Sequence, residues 1–100
     1  MKILLVCNAG MSTSMLVARM EKAAKEKGVD ATILAVPLTQ AESEMNEWDI
    51  VMLGPQVRHC LNQLQKHSKG TPIEVIDMRD YGLMNGANVL KRAIQVIGLK

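Results

Sequence analysis

Cys7 ends a short apolar run and precedes seven mostly small or hydroxyl-bearing residues, Asn8 to Ser14, with the sequence NAGMSTS. Small residues let the backbone curve around a ligand, and Gly10 tolerates a positive φ. An amphipathic helix follows, and its start would direct unpaired N–H groups and the positive end of its dipole into the loop. Such a loop, with its serine and threonine hydroxyls, suits a tetrahedral anion and favours the thiolate form of Cys7. We therefore predict transfer of a phosphoryl group to and from sulfur.

Three other phosphate-handling motifs do not fit this segment. A Walker loop needs G-x-x-x-x-G-K followed by Ser or Thr, and no lysine lies in residues 7–14. A dinucleotide fingerprint needs three glycines, and only Gly10 is present. Cysteine-dependent phosphatases of the low-molecular-weight tyrosine phosphatase kind need C-x5-R, but the sixth residue after Cys7 is Thr13. Because the guanidinium that clamps a transferring phosphoryl group is missing, a phosphocysteine here could persist long enough to be passed to another protein.

Length and composition set the class of protein. The chain has 100 residues, 48% hydrophobic and 22% charged, so we expect one compact domain over residues 1–100. A net charge of +2 and only two aromatic residues, Trp48 and Tyr81, argue against a nucleic-acid partner. The distant cysteines, Cys7 and Cys60, match no disulfide or zinc pattern and suit a reducing compartment. The chain carries no apolar run of about 18 residues, so we expect a soluble cytoplasmic protein.

Apolar periodicity predicts alternating strands and helices. Strands are predicted at residues 3–6, 30–36, 49–54 and 71–77, the last of them short, polar and therefore at an edge. Helices are predicted over residues 12–27, from Thr39 to before Trp48, from Val57 to the SKG segment at 68–70, and through residues 89–97. Gly28 supplies the stop of the first helix, and Thr39 with Glu42 has the spacing of a capping box.

This alternation predicts an α/β fold with a single open four-stranded parallel sheet and helices on both faces. With the order 2-1-3-4, the switch point lies between the first and third strands, where ligands bind beyond the carboxyl ends of open sheets. The two loops at that point are residues 7–14 and 54–58.

Three segments carry a family resemblance that spans nearly all of the chain. CNAGMSTSMLVARM at 7–20, LGPQVRH at 53–59 and YGLMNG at 81–86 resemble the IIB component of the bacterial phosphoenolpyruvate-dependent sugar phosphotransferase system, in its lactose and cellobiose or diacetylchitobiose family. The resemblance implies a fold similar to that of the low-molecular-weight tyrosine phosphatases. It also implies that Cys7 takes a phosphoryl group from a phosphohistidine of the IIA protein. The group then passes to a sugar transported by the membrane IIC protein, a β-linked disaccharide such as cellobiose, diacetylchitobiose or lactose.

The same resemblance implies the remaining properties of the site. IIA and IIC would be transient partners, the sugar would be reached through IIC, and IIC would hold the protein peripherally at the membrane. We expect a monomer. No cofactor and no metal are expected. The predicted phosphoryl-binding loop consists of Asn8, Ala9, Gly10, Met11, Ser12, Thr13 and Ser14.

Several residues outside the loop have open roles. The order of the strands brings Gln56 beside Cys7, where it would support the loop or meet a partner. Arg58 and Tyr81 are further candidates for loop support or partner contact, with no role assigned by the sequence. Met11 and Met15 lie around the first turn of the first helix; we expect docking for Met11 and favour core packing for Met15, with partner contact as its alternative.

Cys60 and the two histidines are predicted to be structural or solvent-exposed. Cys60 lies beside Leu61 without a glycine-rich loop, so we expect an inert buried thiol. His59 and His67 form no i, i+4 pair, and we expect surface positions for both.

Two alternatives to the phosphocarrier remain at this point. A phosphatase or an enzyme similar to arsenate reductases would use the same thiolate but needs the missing arginine. A regulatory binding module would bind its partner and never become phosphorylated.

Overall fold

The computed structural model describes residues 1–7 and 11–98, with the backbone alone at Met11 and Ser12. Within these residues, parallel strands form one sheet in the order β2-β1-β3-β4. The strands are β1 (Lys2–Cys7), β2 (Thr32–Pro37), β3 (Ile50–Leu53) and β4 (Ile73–Val75). The predicted order is confirmed, as is the edge position of the fourth strand.

The helices are α1 (Met11–Lys27), α2 (Leu38–Glu44), α3 (Leu61–His67), α4 (Met78–Gly82) and α5 (Gly86–Gly98). Two 3-10 turns, Met45–Glu47 and Pro55–Cys60, precede β3 and α3. At the end of α1, Gly28 adopts a φ of +68° and Val29 donates its N–H to the Ala24 carbonyl at 2.8 Å. This left-handed glycine and its 6→1 hydrogen bond form a Schellman motif, which explains the stop that the sequence predicts at Gly28.

The two central strands are covered on both faces. Ile3 and Leu5 of β1 face a core that includes Leu16, Met20 and Leu90 of α1 and α5. The alternate residues of β1 face a second core, whose other members include Val51, Leu53, Ala41, Met45 and Leu64. Each large side chain of these cores contributes about 1.5–3 kcal/mol when it is fully removed from water. The predicted arrangement of helices on both faces is therefore confirmed.

The predicted cap of the second helix is wrong. Pro37, with φ −71° and ψ 160°, occupies the N-cap position and makes no side-chain hydrogen bond, so Thr39 is already inside α2. Pro37 is also the last residue of β2, opposite Cys7, so the helix begins at once without a linker. The Glu42 carboxylate accepts a hydrogen bond from Gln63 Nε2 at 2.8 Å instead.

The third predicted helix is divided. Val57 leaves helical geometry, with φ −116° and ψ 18°, and kinks the 3-10 segment Pro55–Cys60, so that α3 begins only at Leu61. Pro55 has no backbone N–H to donate, and Val57 buries its side chain in the second core. The chain turns abruptly here from β3 into the helical layer, which apolar spacing does not reveal.

Candidate active site

The carboxyl ends of β1 and β3 form the site. Cys7 is the last residue of β1, and α1 begins four residues later at Met11. Gly54, directly after β3, donates its N–H to the Val6 carbonyl at 2.8 Å and holds the second loop against the first. These loops leave the sheet between adjacent strands β1 and β3, which confirms the predicted switch point.

The Thr13 side chain contacts the thiol of Cys7. Its Oγ1 lies 2.6 Å from Cys7 Sγ, and either atom can donate the hydrogen bond. Thr13 is a buried polar residue, only 4% exposed, so this bond satisfies its hydroxyl away from water. If Cys7 is a thiolate, the threonine must be the donor, because a thiolate has no proton to give. Thr13 belongs to the predicted phosphoryl-binding loop and lies in the first turn of α1, which agrees with the helix predicted over residues 12–27.

The start of α1 provides a favourable field for an anion. The helix runs for 17 residues, with no acidic residue in its first turn and with Lys25 and Lys27 in its last turn. An α-helix leaves its first N–H groups without intrahelical partners, and its dipole is positive at that end. Because Thr13 lies in this first turn, Cys7 Sγ lies at the end of the helix that stabilises negative charge.

Gly54 allows the second loop to approach Cys7. A Cβ at this position would lie 3.1 Å from Cys7 Cβ and 2.8 Å from Gln56 Oε1. The Gly54 backbone has ordinary extended angles, φ −62° and ψ 150°, so the requirement for glycine is one of space. Gln56 therefore folds back over Gly54 beside the cysteine, as the strand order predicts.

Gln56, Arg58 and Tyr81 share one open depression of about 340 Å³, completed by Pro55 and Met78. The three residues left without a role by the sequence thus lie together. Met78 was missed by sequence reasoning, although it directly follows Asp77 at the end of a predicted strand. The Asp77 carboxylate caps α4 by accepting hydrogen bonds from the N–H groups of Arg79 and Asp80, and an aspartate followed by a short polar segment is the signal that could have found this turn.

The remaining predicted loop residues are only partly described. Asn8, Ala9 and Gly10 lie outside the described residues, and so do the side chains of Met11 and Ser12. Ser14 is exposed. Met15 is 52% exposed, so the core packing favoured for it is wrong and its side chain lies on the surface. The reason is that Leu16 and Met20, rather than Met15, take the face of α1 that meets the sheet.

The residues predicted to be inert lie where expected. Cys60 is buried at the end of its 3-10 turn, whereas His59 and His67 are exposed. His67 Nε2 lies 3.7 Å from Glu42 Oε1. In residues 1–7 and 11–98, no three histidine, cysteine or acidic side chains are grouped as metal ligands. The helices of this same part of the chain are too short or too polar to cross a membrane.

Comparison with known proteins adds the family to this geometry. The family model described as "PTS system, Lactose/Cellobiose specific IIB subunit" matches residues 2–92. The chain belongs to this family of IIB subunits. Members of the family act as sugar phosphotransferases and work with IIA and IIC partners.

Relatives of this IIB chain cover almost its whole length. It is 39% identical to the oligo-beta-mannoside-specific EIIB component of Bacillus subtilis (strain 168), over 96% of this chain and 95% of that protein. It is 41% identical to the galactose-specific EIIB component of Lactococcus lactis subsp. cremoris (strain MG1363), over 91% of each. The solution structure of a cellobiose-specific IIB component from Borrelia burgdorferi matches with a TM-score of 0.84 and 49% identity, over 100% of this chain and 94% of that one.

Proposed function

We propose that residues 1–100 act as a single IIB domain in which Cys7 carries a phosphoryl group from IIA to a sugar. The observation that carries this proposal is the 2.6 Å contact between Cys7 Sγ and Thr13 Oγ1 at the start of α1. The contact joins a nucleophile, a hydrogen-bond donor for its anionic form and the positive end of a helix.

In the first step, the Cys7 thiolate attacks the phosphorus of a phosphohistidine on IIA. The S–P bond forms as the N–P bond breaks, and the histidine nitrogen keeps the bonding electron pair. Sγ becomes neutral as the S–P bond forms, and the charge that it loses is balanced at the histidine nitrogen, which leaves as a neutral imidazole when the ring carries one proton. The phosphoryl oxygens keep their own negative charge throughout the transfer. Backbone N–H groups of residues 8–14 and the hydroxyls of Ser12, Thr13 and Ser14 hold those oxygens in this proposal.

In the second step, a hydroxyl of the sugar bound to IIC attacks the same phosphorus. The O–P bond forms, the S–P bond breaks, and the electron pair returns to Cys7 as a thiolate. The hydroxyl proton leaves to a base of the IIC complex or to water. Thr13 again stabilises the sulfur anion, this time as the leaving group, so one side chain serves both directions.

Thr13 also favours a carrier over a phosphatase. A neutral hydroxyl gives one hydrogen bond, whereas the arginine of a C-x5-R loop clamps two phosphoryl oxygens with a full charge. A site that must accept and then release a group should stabilise its phosphocysteine only moderately. Thr13 is the sixth residue after Cys7, the sequence position at which the phosphatases have that arginine, and its hydroxyl contacts the thiol.

The sugar is proposed as a class. The relatives named above are specific for oligo-beta-mannosides, galactose and cellobiose, and the first two are almost equally similar to this chain. Overall identity therefore does not select one sugar. We propose a β-linked disaccharide such as cellobiose, diacetylchitobiose or lactose, delivered to Cys7 by IIC. The chain would then act in the cytoplasm, peripheral to the membrane, through transient contacts with IIA and IIC.

The test is intact mass after incubation with phosphoenolpyruvate, the general phosphotransfer proteins and a IIA protein of the same family. Wild type and Cys60→Ser should each gain one phosphoryl group, and Cys7→Ser should gain none. Cys60→Ser is the matched control because Cys60 is also a buried free thiol. An unmodified wild type beside a phosphorylated IIA would contradict the proposal, and rapid release of phosphate from a small phosphate ester would favour the phosphatase.

A further inference from the structure

The depression beside Cys7 is not used by the transfer chemistry. It is lined by Pro55, Gln56, Arg58, Met78 and Tyr81 and holds about 340 Å³, room for one or two side chains. Met78 is 63% exposed although it is a large apolar residue. The depression, called here the Arg58 depression, thus combines apolar walls, one amide and one cation.

Arg58 has no counter-charge within the described part of the chain. The ion pairs found there join His67 to Glu42 and Arg92 to Glu74, and Arg58 takes part in neither. The two acidic residues at the start of α4 make hydrogen bonds within the chain. Asp77 accepts the N–H groups of its own helix, and Asp80 accepts a hydrogen bond from Asn88 Nδ2 at 3.1 Å. The guanidinium therefore offers an uncompensated positive charge next to exposed apolar surface.

The depression is continuous with the cysteine. Gln56, which lines it, and Cys7 both contact the space above Gly54. A protein that reaches Cys7 from this side would therefore contact Gln56 and lie against the depression that Gln56 lines. Arg58 would then lie at the rim of the interface, where complementary charge governs the choice of partner and the rate of encounter.

We propose that the Arg58 depression is a docking subsite for the IIA phosphodonor, and that Arg58 pairs there with a carboxylate presented beside an apolar side chain. The identity of the partner rests on the proposed function. Charge distinguishes the donor from the membrane component, because cytoplasmic loops of membrane proteins carry an excess of Lys and Arg. Such loops would be repelled by Arg58, whereas an acidic patch on IIA would be attracted.

The test compares Arg58→Gln and Arg58→Glu with Arg79→Gln. Arg79 is an exposed arginine on α4 that does not line the depression, so it controls for the loss of one surface charge. In phosphoryl transfer from phosphorylated IIA, we expect KM to rise about threefold to fivefold for Arg58→Gln and about tenfold for Arg58→Glu. The kcat should stay unchanged, and the difference should shrink at high salt because exposed charges are screened. Equal KM values for the Arg58 and Arg79 variants would overturn the subsite.

Direct binding of unphosphorylated IIA separates this proposal from the proposed function. If Cys7 took no phosphoryl group but Arg58→Gln weakened IIA binding more than Arg79→Gln did, the docking subsite would be supported and phosphoryl transfer through Cys7 would be contradicted. If wild type were phosphorylated but both variants bound IIA equally, phosphoryl transfer through Cys7 would be supported and the docking subsite would be contradicted. Slower transfer from the phosphorylated Arg58→Gln chain to sugar, with an unchanged IIA step, would assign the depression to IIC and overturn the proposal.

Discussion

Thr13 Oγ1 lies 2.6 Å from Cys7 Sγ, so a hydroxyl in the first turn of α1 contacts the thiol at the end of β1. The contact links the two elements that define the site. It also places a neutral donor where the cysteine phosphatases have a guanidinium.

Replacing the Thr13 hydroxyl should slow phosphorylation while leaving the fold intact. Thr13→Val keeps the shape of the side chain and removes the donor, and a hydrogen bond to a charged group is worth about 1.5–3 kcal/mol. We expect transfer from IIA to slow by about tenfold to a hundredfold, measured as the rate of mass gain. Thr13→Ser keeps the hydroxyl and should stay within about threefold of wild type. Equal rates for the valine and wild-type chains would remove Thr13 from the mechanism.

Adding a methyl group at Gly54 should disturb the site more than the fold. The new Cβ would lie 3.1 Å from Cys7 Cβ and would displace Gln56 Oε1, which lies at 2.8 Å. We expect Gly54→Ala to lower the free energy of unfolding by about 1–2 kcal/mol and the transfer rate by about tenfold. Denaturant unfolding and mass gain measure the two effects.

Gly82→Ala is the matched control for Gly54→Ala. Nothing lies within 4 Å of a Cβ built on Gly82. Its substitution should therefore change the free energy of unfolding by less than about 1 kcal/mol and leave transfer unchanged. If both alanine variants behaved alike, the close approach at Gly54 would have no functional consequence.

Met15 and Met20 should respond differently to truncation. Met15 is 52% exposed, whereas Met20 is fully buried between α1 and the sheet. Met20→Ala should cost about 2–5 kcal/mol of unfolding free energy, and Met15→Ala less than about 0.5 kcal/mol. Thermal or denaturant unfolding distinguishes them. A large loss of unfolding free energy in Met15→Ala would show that Met15 packs in the core, as the sequence favoured.

Loss of the α4 cap should loosen the wall of the Arg58 depression. Asp77 accepts hydrogen bonds from Arg79 N at 2.8 Å and Asp80 N at 3.2 Å, and α4 carries both Met78 and Tyr81. Asp77→Ala should cost about 1 kcal/mol of unfolding free energy and weaken IIA binding, whereas Asp77→Asn should preserve most of both, because asparagine also caps helices well. Isothermal titration with IIA measures the binding. Equal affinities for the two variants would show that docking does not need this cap.

The architecture was predictable because its signals are local and mutually consistent. The buried runs at Ile3–Val6 and Ile50–Leu53 predict strands covered on both faces, which agrees with the central places of β1 and β3 in the sheet. Cys7 directly follows the first of these runs. The cap predicted at Thr39 is wrong because a capping box is a pattern of only two residues. Pro37 already occupies the N-cap position, so α2 begins at Leu38, one residue before Thr39. A local sequence pattern does not show where the preceding strand, here β2, ends.

The details of the site depend on contacts between distant segments. The sequence identified Thr13 only as one of three hydroxyls and as the residue in place of an arginine. Its contact with Cys7 requires the angle at which α1 leaves β1. The grouping of Arg58 with Met78 and Tyr81 likewise depends on the packing of α4 beside the β3 loop, which no local pattern contains.

The phosphocysteine relay is tested by locating the phosphoryl group on the chain and then following its transfer. The chain is phosphorylated by IIA, the modified peptide is identified by mass spectrometry, and membrane vesicles containing IIC are added with and without sugar. Phosphate should be found on Cys7 alone, and it should pass to the sugar only when IIC and sugar are both present. Phosphate on His59 or His67 would show that Cys7 is not the carrier, and release from Cys7 as inorganic phosphate before IIC is added would show that the chain is a phosphatase.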